Sequence, residues 1–429
     1  MTRSHHLARA TPVVVIALAL GQTACSQGTG PGGSEPITEL PRDLSASELA
    51  LIESSNGFGL ELFGQVVAED ERPNMVLSPL SATMALGMTL NGANGSTFDA
   101  MRATLGFAGL SQDEINASYR DLIDLLTDLD PEVQFVIANA IWANQEYAFH
   151  QAFFDAVSAA FDASAETHDF SDPATLAAIN AWVDERTQGL IDSILDSLDP
   201  DLVMLLANAI YFDGAWTNQF DADDTRRQSF TRPDGSTVEV DMMHMSGVEL
   251  PLGGGPGYAA VEMPYGGEAY SMVVAVPWEG DARALAASLD QAAWDALIDG
   301  LTPQELDALA IPKLTLEYDA WLNDALKAMG MEVAFAPGAD FTGLSPDGDQ
   351  MCIDFVRQKT FVEVDERGTR AAAVTAVGIG PTSFTGLIAD RPFVFAIRER
   401  LSGTILFIGL VEDPTASDPG PEPYVDTCE

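Results

Sequence analysis

KTFVEVDERGTRAAAVTAVGIGPTSFTGLIADRPF, residues 359–393, joins two physically different segments through a single turn. The first part reads as a strand: along Lys359 to Asp365, Thr360, Val362 and Val364 fall on one face and Phe361, Glu363 and Asp365 on the other. Glu366-Arg367-Gly368 is a turn signal whose glycine tolerates positive φ. The continuation is unusual for a connection between strands. A solvated loop of about twenty residues has no physical reason to carry Ala371, Ala372, Ala373, Val374, Ile379, Phe384, Leu387 and Ile388. Read with period two, Thr369, Ala371, Ala373, Thr375 and Val377 share one face and are small enough to slide between existing side chains. Arg370 falls on the other face, where it can reach water. No proline interrupts the run from Gly368 to Pro381, so roughly a dozen residues could pair on both edges as a central strand about 40 Å long. Composition alone leaves an Ala-rich surface helix as the competing reading.

The chain of 429 residues is 47% hydrophobic, enough to bury a large core, and length alone would suggest two or three domains. Acidic residues number 65 against 20 basic ones, a formal charge of −45, which repels nucleic acid and anionic membranes. The acids are spread among apolar residues, unlike an acidic disordered chain. Arg3, His5, His6 and Arg9, then the apolar Val13 to Leu20, read as an export signal too short to span a bilayer as a mature helix. Cys25, after Ala24, resembles a bacterial lipoprotein processing site, with Gln22 where leucine is usual; Ala19-Leu20-Gly21 reads as an ordinary cleavage site instead. Residues 26–46, rich in Gly, Ser and Pro, read as a tether, and 415–429 as an acidic, Pro-rich tail. If Cys25 is acylated, Cys352 and Cys428 remain as an even pair, free to bridge or to stay as two unrelated thiols. The five histidines, at 5, 6, 150, 168 and 244, show no metal-ligand spacing, and neither a metal nor a cofactor is expected.

Along the chain, residues 45–69 read as a helix behind a serine cap, and Asn74 to Leu77 as a strand running into a helix with Ser78 as cap and Pro79 at its first position. Ser78 and Ser81 are read as packing hydroxyls, since no histidine or acid is placed to activate either as a nucleophile. Gln112 to Leu129 is an acidic amphipathic helix, Gln134 to Trp142 and Leu202 to Phe212 are buried strands, and Ile179 to Ile191 is a helix ended by Gly189. Val240 to Met243, Ala259 to Tyr265 and Ser271 to Pro277 are further strands, their methionines core filler.

EVDERGTRAAAVTA with ADRPFVFAI and TILFIGLVEDP resembles the hinge, reactive loop and C-terminal strands of a serpin. SPLSATMALGMTLNGANGSTFDAM and the pattern Asn208, Tyr211, Phe212, Gly214, Trp216 and Phe220 are similar to the family at other points, and the likeness spans about 47–414. It implies a single-domain α+β fold with three β-sheets, about nine helices and an exposed reactive-centre loop. It implies a hinge of Glu366, Gly368, Thr369, Ala371, Ala372, Ala373 and Thr375, with Arg370 in place of the usual glutamate. It also implies a shutter of Ser78, Ser81, Asn208 and Gln358, and a breach at Trp216. Gln358 stands where most serpins have a histidine, which leaves a hydrogen bond to Asn208 open but removes a titrating group. The function implied is suicide-substrate inhibition of a serine protease by a monomer that is not an enzyme, with no nucleic acid or heparin-type polyanion as partner and the membrane reached only through a lipid anchor. A non-inhibitory carrier, storage protein or folding helper, and a cross-class inhibitor of cysteine proteases, are the alternatives. Counting seventeen positions from Glu366 gives Thr382-Ser383 as the reactive bond, suited to an elastase-like protease. Phe384 is the rival, suited to a chymotrypsin-like or subtilisin-like one.

Overall fold

Serine caps set the first helices. Ser45 accepts from the Glu48 N–H at 3.2 Å while the Glu48 carboxylate accepts from the Ser45 N–H at 2.8 Å, a reciprocal box that starts α1 (Ala46–Glu69). The strand β1 (Asn74–Leu77) then runs into α2 (Pro79–Leu90), whose cap Ser78 accepts from the Ser81 N–H at 3.3 Å and whose first position is proline. After α3 (Gly95–Thr104), a second box between Ser111 and Glu114 opens α4 (Gln112–Thr127). The remaining helices are α5 (Gln151–Phe161), α6 (Pro173–Arg186), α7 (Ala282–Ser288), α8 (Gln291–Asp299) and α9 (Asn323–Leu326). The helix expected to end at Gly189 stops at Arg186, where the Thr187 side chain bonds back to Val183; Gly189, at φ +80°, makes the turn that follows.

This computed structural model describes residues 35–279, 281–368 and 385–421, all belonging to the unit Glu35–Glu429. One sheet has seven strands in the order β1-β16-β15-β9-β8-β7-β10, built from β7 (Val248–Gly255), β8 (Tyr258–Tyr265), β9 (Tyr270–Pro277), β10 (Thr302–Leu306), β15 (Phe393–Glu399) and β16 (Ile405–Val411) with β1. Every residue of β9, β15 and β16 is buried, because both faces of this layer are covered. A second sheet, β14-β11-β6-β5, joins β5 (Arg226–Thr231), β6 (Thr237–Met245), β11 (Ala308–Pro312) and β14 (Gly386–Ile388).

The third sheet comes in two halves. One is β3-β2-β4, from β2 (Val133–Asn144), β3 (Ser164–His168) and β4 (Met204–Gly214); the other is the pair β12 (Leu314–Trp321) and β13 (Arg357–Val364). In β13 burial alternates strictly, with Gln358, Thr360, Val362 and Val364 inward, as the period-two reading requires. Among the described residues β4 pairs only with β2, and β13 only with β12.

Candidate functional site: an unfilled slot in the central sheet

β4 and β13 lie side by side and run the same way. Their C-terminal ends meet in a cluster of bonds: the Trp216 N–H donates to Arg367 O at 2.5 Å, the Phe220 N–H to Glu366 O at 2.9 Å, and the Trp216 indole to Asp365 O at 2.9 Å. Away from that end there is space instead of a ladder. A small cavity of about 20 Å³ separates Ile210–Phe212 from Phe361–Glu363, and a larger one of about 160 Å³ separates Met204–Asn208 from Phe355–Lys359. Each strand therefore turns an edge without a strand partner toward the other. Such edges pair with any extended chain that reaches them. With 11 residues in β4, the slot runs roughly 36 Å at about 3.3 Å per residue.

The head of the slot is built to hold a reversal of the chain. Gly368 sits at φ +139°, and a Cβ there would fall 2.2 Å from the Gly214 carbonyl oxygen, so only glycine fits. It bridges antiparallel to Ala215 on one side and to Asp365 on the other. Glu366 is buried and fixed by Lys313 Nζ at 2.7 Å and the Thr225 hydroxyl at 2.7 Å. Burial pushes its carboxyl up, but these two bonds outweigh it and hold the group below the ordinary glutamate range. Trp216 stacks on Tyr265 with centroids 4.3 Å apart and planes 13° from parallel. The sequence singled out Trp216, Glu366 and Gly368; it gave no signal for Tyr265 or Lys313 as their partners.

Halfway down, Gln358 and Ser78 bond to each other. The Ser78 N–H donates to Gln358 Oε1 at 2.9 Å, and Gln358 Nε2 donates to Ser78 O at 3.0 Å. The Thr360 hydroxyl donates to Val76 O at 2.6 Å. Asn208 faces them from β4 but bonds elsewhere: its Nδ2 donates to Asn139 Oδ1 at 2.7 Å, and Asn139 in turn to Phe161 O at 2.7 Å. The direct Gln358–Asn208 bond left open by the sequence is thus replaced by two separate networks, one on each side of the slot. Asn208 Oδ1 is buried and has no hydrogen-bond partner. Ser81 lines the larger cavity.

The connection from α6 to β4 covers the lower slot, with Leu195 and Leu202 lining the cavity. Its ties to β13 are long ion pairs, Asp196 to Arg357 at 3.4 Å and Asp192 to Lys359 at 3.9 Å, made by aspartates that are 87% and 86% exposed. Pairs of that kind hold little, so this cover can be displaced. Cys352, on the cavity wall, is disulfide-bonded. Cys25, Cys428, Thr369, Ala371, Ala372, Ala373, Thr375, Thr382, Ser383 and Phe384 lie outside the described residues. Among the described residues no group of three His, Cys, Asp or Glu side chains could hold a metal ion, and no helix is long and apolar enough to cross a membrane.

The family model described as "Serpin (serine protease inhibitor)" matches residues 53–414. The chain belongs to the serpin family. Curated serpins of very different origin resemble it: chicken neuroserpin is 31% identical over 371 residues, covering 83% of this chain and 90% of its own. An uncharacterized serpin-like protein of Thermococcus kodakarensis is 33% identical over 394 residues, covering 88% of this chain and 89% of its own. Among solved structures, the thermophilic serpin tengpin in its native state superposes with a TM-score of 0.76 at 30% identity, over 89% of this chain and 97% of that one. Human thyroxine-binding globulin with its ligand gives 0.78 at 27%, over 86% and 100%. The split between β4 and β13 is therefore a division of the serpin central sheet, and its head and middle are the serpin breach and shutter.

Proposed function

We propose that this serpin traps a serine protease covalently by filling the slot with its own reactive loop. The observation that carries the proposal is a register. Continuing the Ala215–Gly368 bridge down β4 one residue at a time would set Thr369 opposite Gly214, Thr375 opposite Asn208 and Ile379 opposite Met204. Continuing the Asp365–Gly368 bridge along β13 would set the same Thr375 opposite Gln358. Two independent counts thus agree on one strand, and its small residues Thr369, Ala371, Ala373 and Thr375 would take the face of the buried Val364, Val362, Thr360 and Gln358.

The chemistry is that of an interrupted hydrolysis. The protease serine attacks the carbonyl carbon of the reactive bond, the peptide nitrogen leaves with a proton, and an ester joins the two proteins. The freed amino-side segment then inserts from Thr369 onward, antiparallel to both β4 and β13, drawing the protease after it. About a dozen new backbone hydrogen bonds at about 1 kcal/mol net each supply on the order of 10 kcal/mol. Distorting the oxyanion hole removes several kcal/mol of transition-state stabilisation, so water fails to cleave the ester. Thr382-Ser383 is the reactive bond in this reading, with an elastase-like target, and the N-terminal sequence places the inhibitor outside the cytoplasm. The test is a gel: incubation with an elastase-like, a chymotrypsin-like and a subtilisin-like protease should give a complex that survives SDS with at least one. Cleavage of the loop by all of them without a complex would indicate a non-inhibitory serpin.

A further inference from the structure

The cavity of about 160 Å³ in the lower slot is more than a gap awaiting a strand. Its walls include Ala85, Leu205, Leu322 and Phe355, all apolar, together with Ser81 and Asn208. The buried Asn208 Oδ1 accepts no hydrogen bond, while the amide nitrogen of the same side chain is taken up by Asn139. The other carboxamide on the wall, Gln358, has both of its polar atoms engaged by Ser78. A water molecule needs two to four polar partners to stay in such a place, whereas an apolar cavity of about 150 Å³ stays dry and takes up benzene. Volume, lining and a lone acceptor together describe a compact aromatic molecule with one donor. A net charge of −45 disfavours an anionic one.

We infer that the lower slot is a binding site for a small neutral aromatic carrying a single O–H or N–H donor, its ring among the apolar side chains and its donor on Asn208 Oδ1. Occupancy requires no protease and no loop movement. Its consequence, however, rests on the inhibitory reading: a ring lodged between β4 and β13 stands where the inserting strand must pass, so the ligand opposes insertion and turns the inhibitor toward being a substrate.

Phenol and benzene are the probes, applied to the full chain by calorimetric titration and by thermal unfolding. Phenol should bind saturably and about tenfold tighter than benzene, the worth of one hydrogen bond to a group otherwise left unpaired. Asn208→Leu should abolish that preference, and Ala85→Phe, on the opposite wall, should weaken both ligands by filling the space. Because Asn208→Leu also removes the bond to Asn139 and could disturb folding, Ala85→Phe serves as the independent variant. Absence of saturable phenol binding up to about 10 mM, where even ligands of millimolar affinity are bound, would overturn the site. So would phenol binding that both substitutions leave unchanged. These readouts involve no protease, so they stand apart from the SDS gel: a chain that binds phenol but traps nothing keeps the site and loses the inhibitory reading.

Discussion

Gln358 and Ser78 are joined by two hydrogen bonds, at 2.9 and 3.0 Å, that satisfy both backbone groups of the serine that caps α2. The side chain of β13 thereby substitutes for a strand partner just where β1 gives way to the helix. A histidine could reach one of those groups with one ring nitrogen; a carboxamide reaches both.

Gln358→Leu should therefore cost about 2 kcal/mol of stability, since it leaves a buried N–H and a buried C=O unpaired. Denaturant unfolding measures this, and an unchanged midpoint would show that Ser78 finds other partners. Because a carboxamide does not titrate, the shutter gives the wild type no reason to change its insertion rate between about pH 5 and 8, the range in which histidine changes charge. Gln358→His should introduce such a dependence.

Acid should loosen the head of the slot. The Glu366 carboxyl is held below its ordinary value of 4.5 by Lys313 and Thr225 acting against burial. A carboxyl whose folded pKa is depressed contributes stability that is fully present above its unfolded value and is lost as the pH falls through the folded one. The turn at Gly368 should accordingly loosen below pH 4.5, and Trp216 fluorescence should report it, because that indole is buried and bonded to Asp365 at 2.9 Å. Glu366→Gln should remove this part of the titration, and Trp216→Phe identifies the reporting residue. A titration identical in Glu366→Gln would assign the acid effect to other carboxyls.

Thr369 is the first residue that would pass between Gly214 and Val364, both buried. Thr369→Arg should give a protein that proteases cleave and do not stay attached to, as an unpaired charge on the buried face costs several kcal/mol. The same logic makes cleavage between Gly378 and Phe384 stabilising, because the freed strand fills the slot. The melting temperature should rise on nicking, whereas an ordinary nicked loop leaves it the same or lower.

The reactive bond is checked by mass. A denatured and reduced complex should release a fragment beginning at Ser383; one beginning at Thr385 would move the bond to Phe384.

How much of this was legible in advance depended on whether a feature was local. Caps at Ser45 and Ser78, the alternation along β13 and the glycine at 368 are written in neighbouring residues, and they appear where the sequence puts them. The seven-stranded sheet was legible as apolar runs, though their order was not, since pairing partners such as β1 and β16 are more than three hundred residues apart. What the chain could not announce were contacts between distant polar groups. Gln358 could as well have met Asn208 as Ser78, and the choice is made by how far apart β4 and β13 stand. That the central sheet is divided follows from the same separation, which no residue encodes singly.

Arg370 gives the most specific expectation, because the family puts a glutamate at its place in the hinge. The two bridges at Gly368 that fix the register would bring Arg370 between Asp213 on β4 and Glu363 on β13. Both of those residues are only partly buried, so the guanidinium would stay in contact with water while flanked by two carboxylates. A glutamate there would face two like charges, directly opposite across both ladders, an arrangement that destabilises a sheet. Read this way, the substitution is matched to its slot and promotes insertion. Arg370→Glu should lower the fraction of protease trapped and raise the fraction of inhibitor cleaved as substrate, more so at low salt, where exposed charges are least screened. Replacing the acids in the same molecule, Asp213→Asn with Glu363→Gln, should restore trapping to Arg370→Glu while weakening it slightly in the wild-type background. Equal trapping by wild type and Arg370→Glu in about 10 mM salt, where the screening length is about 30 Å, would mean that the inserted strand runs in another register.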